Sequence, residues 1–165
     1  MKFIKLFFIS VVFFSILLSA FSLFIPSHVQ ISKAMQIRTS PDSLWRVVDD
    51  FTTWKNWNTL FPGLLNDKAV YDDSALKTEN AEVKWKSREP GLRIAVIKRE
   101  NRKPILSGWK LTDVGNSDEV MVQWYIDIAL RWYPWEKFAG MLYEKSYGDK
   151  LIKGLTDLKT MLENN

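Results

Sequence analysis

Residues 6–25 (LFFISVVFFSILLSAFSLFI) carry no charge, whereas everything after Pro26 is a charged, tryptophan-rich stretch. A helix that is apolar all round needs either a lipid environment or a large protein to surround it. Twenty helical residues rise about 30 Å, the thickness of a bilayer's hydrocarbon core. The division predicts residues 1–27 as an N-terminal membrane anchor, spanning through residues 6–25, and residues 28–165 as one domain. A second interpretation of the same segment is a cleaved signal peptide. Lys2 and Lys5 make a positive n-region, and Ala20-Phe21-Ser22 has the small residues that a signal peptidase accepts. Against cleavage, the apolar run continues through Leu23, Phe24 and Ile25, and a signal h-region is usually shorter. Lys2, Lys5 and the α-amino group crowd the first five residues, while Lys33, Arg38 and Arg46 are spread beyond the span. That density predicts a single-pass protein with its N-terminus in the cytoplasm and its domain outside. Cleavage would instead leave a secreted or periplasmic domain.

Composition narrows what the domain can do. Lys2 and Lys5 account for two of the chain's +4 formal charges, leaving +2 for the remainder, which has no basic stripe of the kind nucleic acids require. Nucleic acid is therefore not an expected partner. The chain has no cysteine and a single histidine, His28. This excludes the common zinc sites and any ordinary Ser-His-Asp or Cys-His nucleophile, so no metal and no cofactor are called for. His28, just past the span, is expected to be a linker residue. All eight tryptophans lie after residue 44. Aromatics that bury so much area either fill a core or line a cavity meant for something apolar.

Residues 28–38 (HVQISKAMQIR) alternate, with Val29, Ile31, Met35 and Ile37 on one face, as in a half-buried strand. Lys33 interrupts that inward set; it is expected either to snorkel to solvent or to meet a ligand carboxylate. Ser40-Pro41-Asp42 is a helix start, with Ser40 as N-cap. Leu44, Trp45, Val47 and Val48 form the apolar side of that helix. A second short helix is expected over 51–58, ended by Pro62-Gly63. Residues 66–73 are a weak strand candidate. Clean strands are expected over 81–88, 92–100, 104–113 and 119–130, with turns at Pro90-Gly91 and at Asn116-Ser117-Asp118. Beyond Pro134 the apolar period becomes helical. Phe138, Leu142, Tyr143, Tyr147, Leu151, Leu155, Leu158 and Leu162 predict one long amphipathic helix to about residue 163. Gly140, Gly148 and Gly154 inside it permit close approach or a bend. The order predicts an α+β layer with the last helix lying across an antiparallel sheet.

This order and three strings resemble the START-related superfamily, the polyketide cyclase/dehydrase-like or helix-grip group. The first is MQIRTSPDSLWRVVDDFTTWKNWN, with Asp50-Phe51 followed by Trp54 and Trp57. The second is AEVKWKSREPG, a strand leading into a turn. The third is WYPWEKFAGMLYEKSYGDKLIKGLTDLKTMLE, similar to the helix that grips the sheet. A span ending in Leu-Phe-Ile-Pro resembles the membrane-anchored bacterial branch. The resemblance implies a helix-grip fold with two short helices after the first strand and a cavity between the sheet and the terminal helix. The family usually has six or seven strands. Between Trp85 and Trp109 this chain reads one strand short, which predicts about six and a smaller or more open cavity.

Trp85, Trp109 and Trp124 fall on inward faces of three strands. With Phe138, Met141 and Leu142 on the helix they form a candidate lining for an apolar ligand; the alternative is that they simply fill the core. Trp57 joins that lining because, as the resemblance implies, its segment covers the cavity mouth, or clamps onto the core. Lys84, Lys86 and Arg88 make a basic row, expected to be a solvated face or a contact for lipid phosphates. The polar residues available for catalysis are only Ser87, Ser107, Lys33 and Tyr125. The expected function is a non-enzymatic, membrane-anchored domain that binds a lipid or other apolar small molecule. A protein-interaction module without ligand and a cyclase- or hydrolase-like enzyme are the alternatives.

Overall fold

The alternation of apolar and polar residues on either side of Pro90-Gly91 and beyond is realised as a single antiparallel sheet. The computed structural model describes residues 2–60, 69–72, 74–113 and 118–164. The chain opens with helix α1 (Lys2–Phe24), which stands almost wholly exposed and is long and apolar enough to cross a bilayer. Strand β1 (His28–Ile37) follows after Pro26, and then α2 (Pro41–Asp49) and α3 (Trp54–Trp57). The expected cap is present: Ser40 Oγ accepts from the Ser43 N–H at 3.2 Å, satisfying a donor that the first turn leaves free. Helix α2 turns Leu44 and Val48 into the core.

Strands β2 (Val70–Asp72) and β3 (Ala75–Lys77) form a short hairpin. The longer β4 (Ala81–Glu89), β5 (Leu92–Arg99), β6 (Ile105–Asp113) and β7 (Val120–Ala129) complete the sheet. The strand order is β1-β7-β6-β5-β4-β3-β2, with every neighbouring pair antiparallel. Among the described residues the sheet therefore has seven strands rather than about six. The additional strand is β3, too short at three residues to show an alternation. Gly91, at φ +75°, takes the left-handed position of the turn after Pro90 that favours glycine. The expected break at Pro62-Gly63, the turn residues Asn116-Ser117 and positions 66–68 and 73 of the weak strand candidate lie outside the described residues.

Helix α4 (Pro134–Glu163) packs chiefly on β1 and also meets α3, β7 and the end of α1. Its inner side buries Leu151, Leu155 and Leu158 against Ile31, Ile37, Val122, Trp124 and Ile126. Each such leucine contributes roughly 1.5–3 kcal/mol of hydrophobic stabilisation. Gly154 lets the helix come down onto the sheet: a Cβ there would stand 2.5 Å from the Trp124 ring and 2.9 Å from the Trp57 carbonyl oxygen. Gly140 does the same over Leu130 and Val29.

Candidate functional site

Five of the tryptophans singled out in the sequence meet in one aromatic cluster. Trp109 on β6 lies directly opposite Trp124 on β7, so their inward-facing rings stack at 5.6 Å. Trp54 and Trp57, three residues apart on α3, both point onto that pair; Trp57 lies 5.5 Å from Trp124 and Trp54 lies 5.2 Å from Trp109. Trp85 on β4 reaches Trp109 at 5.9 Å and stacks on Phe51 at 5.1 Å. These spacings fall in the range where aromatic rings attract. Phe51 and Trp54 were thus part of the cluster without being read as lining, and the Trp-x-x-Trp spacing on one helical turn was the signal for Trp54.

The indole N–H groups divide this cluster. Trp54 donates to the Val48 carbonyl at 2.8 Å, and Trp124 donates to Ser107 Oγ at 2.9 Å. The buried Nε1 groups of Trp85 and Trp109 have no acceptor among the described residues. A buried donor without a partner is uncommon.

Phe138, Met141 and Leu142 do not join the tryptophans. They lie on the outer side of α4, 43%, 61% and 69% exposed, so the expected lining is corrected at these three positions. Residues 143, 147, 151, 155 and 158 already occupy the inner side at three- and four-residue spacing, and 138 and 142 fall opposite them. The single apolar stripe expected along α4 is two stripes: an outer one at its start and an inner one along the rest.

Beyond the tryptophan pair, the inner face of the sheet continues through Ser107 and Ile126 to Ile105 and Ile128, paired across β6 and β7. There a cavity of about 250 Å³ opens between the sheet and α4. Ile105, Ile128, Tyr143 and Tyr147 form its apolar walls, and Arg99, Arg102, Lys103 and Arg131 are among the residues around it. Lys103 Nζ donates to the Leu130 carbonyl at 3.0 Å. This opening lies beside the exit of α1, because the Leu130 N–H bonds the Ser27 carbonyl at 2.8 Å.

A larger cleft, about 500 Å³, lies between α2 and β2 and holds Asp49 and Asp50. Both carboxylates are engaged locally. Asp49 binds Arg93, which also covers the Trp45 ring, and Asp50 accepts from the backbone and hydroxyl of Thr52. Among the described residues no three His, Cys, Asp or Glu side chains gather as metal ligands.

The four polar candidates for catalysis are dispersed. Ser107 is buried as the acceptor for Trp124, and Ser87 bonds Glu89 on the exposed end of β4. Lys33 keeps its inward parity, passes beneath Gly148 and reaches Glu144 at 2.7 Å. Tyr125 points to the other face of the sheet, lying over Gly108; burial, with a smaller contribution from Asp127, pushes its phenol up from the usual value. In the basic row, Lys84 pairs with Glu82 at 2.8 Å, Arg88 lies over Trp85 and Lys86 is exposed. His28 is exposed and bonds Asp127 at 3.1 Å.

No family model and no curated protein matches the sequence. Solved structures do match the fold. A START superfamily protein from Mycobacterium smegmatis aligns at TM-score 0.59 and 16% identity, over 82% of this chain and 97% of that one. A Staphylococcus aureus protein of unknown function, SA2116, aligns at TM-score 0.62 and 11% identity, over 83% and 94%. Norcoclaurine synthase from Thalictrum flavum aligns at TM-score 0.57 and 12% identity, over 83% and 95%. At these identities the likeness speaks for architecture alone. The chain has the START-like helix-grip fold.

Proposed function

We propose that residues 28–165 form a non-enzymatic binding domain for a lipid or other apolar small molecule, held at a membrane by residues 1–27. The observation that carries this reading is the cavity walled by Ile105, Ile128, Tyr143 and Tyr147 and ringed by Arg99, Arg102, Lys103 and Arg131, beside the exit of α1, the one membrane-length helix among the described residues. Its volume suits part of a ligand rather than a whole phospholipid. Trp109 and Trp124 lie deeper on the same face, behind Ser107 and Ile126, and do not line the cavity. The driving force is removal of apolar surface from water, about 25 cal/mol per Å² before ordering costs.

Contacts at the end of α1 support an anchor that stays attached. Lys137 is buried, and its ammonium donates to the Ile25 carbonyl and to Ser27 Oγ. A cation at the C-terminal end of a helix is favourably placed toward the dipole. Ser22 is buried near the Trp132 carbonyl. Cleavage after residue 22 would remove Ser22 from its place in this joint. In the proposed topology the N-terminus is cytoplasmic and the domain extracytoplasmic.

The delipidated chain in detergent should take up a lipid-like mass from a native membrane extract. Ile128→Trp, which enlarges a side chain on the inner face of β7 at the cavity wall, should reduce that uptake several-fold; unchanged uptake by this variant would overturn the assignment. The close ring packing of the tryptophans favours a second reading, a protein-interaction module that uses the fold without a ligand. An empty chain after exposure to the extract would favour that module. Norcoclaurine synthase shows that the fold can host an enzyme; the dispersal of Ser87, Ser107, Lys33 and Tyr125 weighs against one in this chain.

A further inference from the structure

The start of α4 presents a continuous set of exposed large apolar side chains: Trp132, Trp135, Phe138, Met141 and Leu142, from 43% to 70% exposed. On a soluble surface such a set marks a contact site. The outer side of the helix then changes character. After Leu142 it presents Lys145, Ser146, Asp149 and Lys150. The apolar portion of the helix, Pro134 to Leu142, is about 13 Å long at 1.5 Å per residue.

Three features tie this face to the surface of α1. Lys137 fastens the first turn of α4 to the end of α1 through Ile25 and Ser27. Trp132 shares an apolar groove of about 530 Å³ with Val12, Ser15, Ile16, Ser19 and Leu23 on α1. Tyr133 stacks on Trp135 at 4.9 Å and meets the tilted Trp132 ring at 4.9 Å, and Ser22 near the end of α1 bonds the Trp132 carbonyl. Tryptophan and tyrosine concentrate at the headgroup level of bilayers.

We propose that the first turns of α4 lie in the headgroup–acyl boundary of the bilayer that α1 spans, so that the domain rests on the membrane with its cavity mouth at the lipid surface. An interfacial helix of this kind buries its apolar face about 5–10 Å into the boundary. Arg131, immediately before the patch, and Lys145, immediately after it, are exposed and placed to meet lipid phosphates. The occupant is lipid because the patch continues the exposed apolar surface of α1 rather than standing apart from it. This inference rests on the membrane reading of α1 but not on ligand binding.

The test uses the full chain reconstituted in phosphatidylcholine–phosphatidylglycerol vesicles whose acyl chains carry bromine, a short-range quencher of indole fluorescence. No tryptophan lies within α1, so any quenching reports the domain alone. The wild-type chain should be quenched, and the Trp132→Phe/Trp135→Phe variant should lose most of that quenching. Met141→Asp with Leu142→Asp should lower it several-fold while the chain still co-floats with the vesicles. Co-flotation without quenching in the wild-type chain would overturn the docked domain and leave the anchor standing. Failure to co-float would overturn both.

Discussion

The chain uses the same side chain in two opposite ways. Trp54, Trp57, Trp109 and Trp124 are each at most 2% exposed and touch one another, while Trp132 and Trp135 are 68% and 70% exposed. Burial follows position rather than residue type. Trp109 and Trp124 are opposed across β6 and β7 beneath a helix that Gly154 allows to approach. Trp132 and Trp135 stand at the start of a helix whose inner side is already filled. The first group holds the fold together; the second is available to a neighbouring phase.

This contrast can be broken most sharply by truncating one member of each group. Trp109→Ala removes a buried indole and should cost about 3–5 kcal/mol of stability, measured by thermal or urea unfolding in mild detergent. Trp132→Ala should stay within about 0.5 kcal/mol in the same assay. Equal losses would erase the distinction. Next in size, Gly154→Ala would drive a methyl group into the Trp124 ring and the Trp57 carbonyl, with an expected cost of about 1–3 kcal/mol. Gly140→Ala, which meets the branched end of Leu130, should be milder because that side chain can rotate.

The smallest expected effect is on pH dependence. A hydrogen bond from Lys84, assisted by Lys77, holds Glu82 below the usual carboxylate range. A carboxylate depressed in the folded state adds stability that is present above its unfolded pKa and is lost as pH falls through the folded value. Glu82→Gln should therefore slightly lower stability at neutral pH, leave it unchanged at strongly acid pH, and so flatten the acid limb of the stability profile. Because the pair is solvent-exposed, a large change would mean that the acid limb has another source.

Much of the fold was legible because it rests on period. The two-residue alternation in β1 and in β4 to β7, the Ser40 cap and the shift to helical spacing after Pro134 are local signals that tertiary packing reinforced. The hairpin of β2 and β3 was not, since three residues per strand carry no readable period and pairing with β4 sets β3 instead. The inward parity of Trp85, Trp109 and Trp124 located the cluster. The misplacement of Phe138, Met141 and Leu142 has a physical cause: apolar spacing identifies a stripe but not the medium it faces. Phe138 and Leu142 are four apart and so share a stripe with each other, on the side opposite Tyr143, Tyr147 and Leu151, while Gly140 and Gly154 mark the side that meets the sheet. The resemblance implied a cavity between the sheet and the terminal helix, whereas the residues lining the one described here were out of reach, because they come from β6, β7 and α4, far apart along the chain.

The central claim is that lipid enters the space between β6, β7 and α4 rather than touching only the outside of the domain. It is tested most directly by photolabelling the full chain in vesicles with a lipid that carries a diazirine in its acyl chain, then mapping the adducts. The account predicts adducts on Tyr143 or Tyr147, or on the Ile105 and Ile128 segments, that disappear in Ile128→Trp. Adducts confined to α1 and residues 132–142, unchanged by Ile128→Trp, would contradict it.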